Sequence, residues 1–78
     1  MNTYFQRAIE RIKKAGLTVI NTIEATESTD AEIEITETLS IQVCSAKQYL
    51  VVQREGDDFI FSPIVSLKAA IQIANSVR

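Results

Sequence analysis

Between Ala31 and Cys44 the chain alternates apolar and polar residues over a longer run than most strands occupy. Ile33, Ile35, Leu39, Ile41 and Val43 hold odd positions, while Glu32, Glu34, Thr36, Thr38, Ser40 and Gln42 hold even ones. Successive side chains on a strand point to opposite faces, so a period of two means one buried face and one wet face. Glu37 breaks the alternation, because its parity sets it on the buried side. Strands usually span about five or six residues. We therefore expect one long strand with a bend or bulge near Thr36–Thr38 that turns Glu37 outward. A tight break giving two strands is the alternative. No Gly or Pro marks such a break, so the bent strand is preferred.

The flanking segments extend this into an α+β pattern. Thr3 to Ala15 carries Tyr4, Phe5, Ala8, Ile9, Ile12 and Ala15 in one helical arc of roughly 140°. Thr3 suits the N-cap, and Gly16 suits the left-handed residue after the last turn. Lys13 and Lys14 complement the negative end of the helix dipole. Leu17 to Glu24 is rich in Val, Ile and Thr and reads as a strand. Thr26 to Asp30 reads as a turn, and so does Ser45 to Lys47. Gln48 to Arg54 is apolar on both faces, with Tyr49 and Val51 on one and Leu50 and Val52 on the other, as in a central strand covered on both sides. Glu55-Gly56-Asp57 reads as a hairpin turn leading to a strand at Asp58 to Phe61. Ser62-Pro63 has the form of a helix start, which predicts a helix from Pro63 to about Val77; Ser66 is a later alternative cap. The expected fold is α-β-β-β-β-α, with an antiparallel meander and the two terminal helices packed on one face.

A chain of 78 residues is a single small domain, residues 1–78. Folding at this size removes only about 60% of the unfolded chain's surface from water. Cys44 is the only cysteine and there is no histidine, so an internal disulfide is excluded and a zinc or haem site is not expected. No cofactor is expected. The lone thiol and the charged N-terminal segment, which lacks a signal-peptide pattern, suggest a reducing cytoplasmic setting. No run of apolar residues reaches membrane-spanning length.

The usual catalytic devices are missing from the pattern. General acid–base work near neutral pH relies most often on histidine. Cys44 has no histidine to activate it, and Lys47 is its only basic neighbour in sequence. Two glycines cannot build a phosphate-cradling loop. The chain is therefore expected not to be an enzyme, and no small-molecule substrate is inferred. Glu32 and Glu34 share a strand face, where solvation is the ordinary role of such residues.

Three surfaces remain as candidates. The last helix is apolar over roughly 220°, more than one sheet face covers. Its Val65, Ala69 and Ile73, with Tyr49 and Val51 of the two-faced strand, form the expected protein interface, with a second copy or another protein as partner. Glu24, Glu27, Asp30, Glu32 and Glu34 surround one hairpin tip and could dock on a basic protein surface, as an acidic inhibitor does. Arg7, Arg11 and Lys14 give the first helix a basic face. A nucleic-acid role for it is disfavoured by the net charge of −2, the pI near 5.0 and the lack of an aromatic strand platform.

Overall fold

The computed structural model describes residues 3–77. Of the residues expected to form the single domain, Met1, Asn2 and Arg78 lie outside the described residues. The element order is α1 (Thr3–Lys14), β1 (Asn21–Ile23), β2 (Ala31–Thr36), β3 (Leu39–Ser45), β4 (Gln48–Glu55), β5 (Asp58–Phe61) and α2 (Leu67–Val77). The five strands form one antiparallel sheet in the order β1-β2-β3-β4-β5. The α+β class and the meander with a helix at each end are as expected.

The strand count is five rather than four because residues 31–44 do not form one bent strand. Their chain direction reverses at Glu37 and Thr38, and β2 and β3 pair with Ile33 opposite Ile41. Among the described residues no non-glycine residue has positive φ, so this is not a glycine-type hairpin turn. The Thr36 hydroxyl accepts the Thr38 N–H at 3.2 Å, and a register irregularity falls between Glu34 and Thr36. A hydroxyl and a bulge together reverse the chain where Gly or Pro would usually be sought. Ser45 acts similarly at the next turn, accepting the Lys47 N–H at 3.4 Å. Thr26 accepts the N–H groups of Ser28 and Thr29 in the β1–β2 connection. Only the β4–β5 turn uses glycine, with Gly56 at φ 65°.

α1 ends as its sequence predicts. Gly16 takes φ 93°, its N–H donates to the Lys13 carbonyl, and the Leu17 N–H donates to the Ile12 carbonyl. These two bonds satisfy carbonyls that the last turn leaves open. They also deliver Leu17 into the same core as Ile12.

α2 starts later than Pro63. The Ser66 hydroxyl accepts the Ala69 N–H at 3.2 Å, so Ser66 is the cap. Residues Ser62 to Val65 are held instead by β4. Val65 exchanges two backbone hydrogen bonds with Tyr49, at 2.7 and 2.9 Å, and the Ser62 N–H donates to the Val51 carbonyl. Pairing with a neighbouring strand outweighs the local helix-start signal.

Both helices cover the face that carries the odd-numbered residues of β2, β3 and β4. Phe5, Ala8, Ile9 and Ile12 of α1 and Leu67, Ala70 and Ala74 of α2 join Ile33, Ile35, Leu39, Ile41, Val43, Tyr49 and Val51 in one buried cluster. Ile12, Ile33, Ile41 and Val51 are its largest fully buried side chains. Ala70 and Ala74, with no exposed area, let α2 sit close to the sheet. Among the described residues, no helix lies on the opposite face.

Candidate functional site

The strand register builds the open face row by row. One row runs Ile23, Glu32, Gln42, Leu50, and the next runs Asn21, Glu34, Ser40, Val52, Phe61. Arg54 and Phe59 form the start of a third. Residues directly opposite in an antiparallel pair share a face, so this surface grades from acidic at β2 to apolar and aromatic at β4 and β5.

The acidic side is internally bonded. Glu32 accepts from the Ser40 hydroxyl at 2.9 Å, and Glu34 accepts from the Asn21 amide at 3.0 Å. Asp30 accepts from the Gln42 amide at 3.4 Å. Glu32 and Glu34 lie half-buried along the open face, and Glu24 and Glu27 stand exposed in the connection that leads into β2. Among the described residues, no three His, Cys, Asp or Glu side chains come together as a metal-ion set.

The apolar side is exposed. Phe59 and Phe61 are each 59% exposed, with ring centroids 6.5 Å apart. Ile60 lies on the helix side of the same strand, and Ile64 follows in the segment that leads to α2; both are exposed. Val52 is buried beneath Phe61, its strand partner, and Leu50 is half-buried. A shallow depression joins the two sides, lined by Glu32, Glu34, Ser40, Val52, Arg54 and Phe59.

The interface residues expected from sequence lie elsewhere. Tyr49 and Val51 are only 3% and 1% exposed, because the helices cover their face of β4. They present nothing to a partner, and β4 is not a central strand covered on both sides. Val65, Ala69 and Ile73 are half-buried, with Val65 and Ile73 packed against the core. Part of the apolar excess of α2 is therefore used within the chain. The exposed set at Phe59, Ile60, Phe61 and Ile64 was missed. Its signal was available: the last strand of a meander is an edge, and this one is apolar on both faces.

Arg7, Arg11 and Lys14 are exposed on α1. Lys68 of α2 joins Arg11 and Lys14 around a groove floored by Ala15 and Ile71. Two helices thus supply the basic patch, and sequence reading had found only one.

Cys44 is half-buried at the end of β3. Burial pushes its thiol pKa up, and the charge and hydrogen bonding of Asp30 push it further the same way. A thiol held protonated is a poor nucleophile. Burial likewise raises Tyr49, with Arg11 acting against it and Tyr4 reinforcing it. The Tyr49 hydroxyl donates to the Ala46 carbonyl at 3.1 Å, which gives it a structural role at the β3–β4 turn.

What the fold and this surface define is a two-layer α+β domain with an open, graded sheet face. No family model, curated protein or solved structure matches the chain. No described helix is long and apolar enough to cross a membrane.

Proposed function

We propose that this chain is a non-enzymatic protein-interaction module that self-associates, and that it works through the apolar side of its open sheet face and the adjoining strand β5. One observation carries this reading. Of the seven large apolar side chains exposed among the described residues, four (Phe59, Ile60, Phe61 and Ile64) fall within six consecutive positions. Scattered exposed apolar residues are ordinary, but a contiguous patch usually marks an interface. A reducing cytoplasmic setting agrees with a single thiol that has no partner cysteine within the chain.

Site-specific photo-crosslinking in the native cell tests the reading. A photoreactive phenylalanine at position 59 or 61 is expected to yield protein adducts, and one at Glu37 or Lys47 is not. Equal, background-level labelling at all of these positions would sink the proposal.

A further inference from the structure

We propose that β5 pairs with β5 of a second copy of this chain across a twofold axis at Ile60, joining two five-stranded sheets into one. This rests on the interaction-module reading and gives the geometry of its self-association.

The backbone sets the register. The Ser62 N–H donates to the Val51 carbonyl, and Ile60 stands opposite Gln53. In an antiparallel ladder alternate residues direct their N–H and C=O groups to the same neighbour. Ile60 and Ser62 therefore face β4, and Phe59 and Phe61 direct theirs to the free edge. With Ile60 on the axis, Phe59 stands opposite Phe61 of the second copy, and Phe61 opposite its Phe59. Each of these pairs exchanges two N–H···O=C bonds, and no outward group of the two phenylalanines is left unbonded.

Neighbouring registers are worse. An axis at Phe61 brings Phe59 opposite Pro63, which has no N–H to give. An axis at Phe59 brings Asp58 opposite Ile60 and draws Asp57 of the turn against Phe61. The Ile60 axis sets Asp58 opposite Ser62. The two Asp58 carboxylates then lie about 13 Å apart along the joint, four residues at the strand rise. That exceeds the screening length of about 8 Å at physiological salt.

The side chains agree with the backbone. Phe59 and Phe61 share the open face, so the joint gathers four aromatic rings on one side and the two Ile60 side chains on the other. Edge strands are commonly protected by inward charges, Lys or Pro along their length. β5 has Asp58 at its start and Pro63 beyond its end, with nothing protective between. The opposite edge, β1, is only three residues long. A twofold contact consumes both β5 edges and closes at two chains. A ladder of four residues a side is a small contact beside standard specific interfaces, which bury about 800 Å² per partner.

Light scattering of the full chain from micromolar to millimolar concentration is expected to show the mass rising from one chain to two and stopping there. Ile60→Lys places two like charges on the axis and is expected to weaken dimerisation at least tenfold, with circular dichroism confirming that the variant folds. In a Cys44→Ser background, Ile60→Cys is expected to close an intermolecular disulfide under mild oxidation, and Asp58→Cys is not. A monomer at every concentration overturns the proposal, as does a dimer indifferent to Ile60→Lys that also fails to crosslink at position 60. If the chain stays monomeric while photo-crosslinkers at positions 59 and 61 still capture a different protein, the β5 pair is wrong and self-association falls with it, while the reading as a protein-interaction module stands. Failure of both experiments removes both.

Discussion

Ser62 holds Val51 twice. Its hydroxyl accepts the Val51 N–H at 2.8 Å, and its own N–H donates to the Val51 carbonyl at 2.9 Å. The hydroxyl also donates to the Pro63 carbonyl at 2.9 Å. One residue thus keeps β4 bonded at the point where β5 has ended and the chain turns away towards α2.

Ser62→Ala should leave the Val51 N–H without its acceptor. The expected cost is about 1–3 kcal/mol, the range for a buried donor left without its acceptor. Ser66→Ala should cost about 1 kcal/mol through loss of the α2 cap. Hydrogen exchange separates the two. The first variant should speed exchange at Val51 and leave the start of α2 alone, and the second should do the reverse. Faster exchange at residues 67–70 in Ser62→Ala would mean that Ser62 caps the helix after all.

Ile33 and Ile41 face each other across β2 and β3, and neither has any exposed area. Truncating either to Ala should cost about 2–5 kcal/mol. A domain of this size has about 4–12 kcal/mol in total, so either variant approaches complete unfolding. Ile41→Val should cost only about 1 kcal/mol. Urea titration followed by circular dichroism gives the midpoints. A midpoint for Ile41→Ala equal to that of the unmodified chain would show that this pair is not the centre of the core.

The stability of the fold should decline in alkaline solution. The Cys44 and Tyr49 pKa values are both raised above their ordinary 9.0 and 10.0. The folded state therefore holds these protons more tightly than the unfolded chain does. That contribution is complete below about pH 9 and is lost as the pH rises through the folded-state values. Melting temperatures measured from pH 7 upward should fall above pH 9, and less steeply in a Cys44→Ser, Tyr49→Phe double variant. Identical slopes for the two proteins would assign the loss to other groups.

Gly16 and Gly56 both hold positive φ, but at different values, 93° and 65°. Ala at either position should cost about 1–2 kcal/mol, the steric penalty of a Cβ in the left-handed region. Asn tolerates φ near 50–70°. Gly56→Asn should therefore recover most of the loss, and Gly16→Asn should not. Chemical denaturation of the four variants decides it, and equal recovery at both sites would contradict this account.

Much of the architecture was legible in local pattern. The apolar arc of α1, its two-lysine end and Gly16 name one helix and its stop. The alternation from Ala31 to Val43 names the buried face residue by residue, because strand parity does not depend on what the strand packs against. Gly56 marks the one described strand-to-strand turn with positive φ. What misled was chemistry that stands in for the usual signals. The reversal at Glu37–Thr38 is made by the Thr36 hydroxyl and a bulge, so the absence of Gly and Pro was poor evidence against it. The pattern includes Tyr49 and Val51 in the candidate interface, beside Val65, Ala69 and Ile73, because β4 is apolar on both faces, and pattern alone does not say which face the helices cover.

By itself the sequence determined helix or strand type along the chain and the parity of each strand, since these follow from side-chain type and spacing along one chain. Only the tertiary structure decided which sheet face the helices cover, where α2 begins, and that Phe59, Ile60 and Phe61 lie on an unpaired edge. Those outcomes depend on hydrogen bonds and contacts between distant segments. The backbone pairing of Tyr49 with Val65 is the clearest case, because it overrides the Ser62-Pro63 helix signal through a strand that lies many residues away.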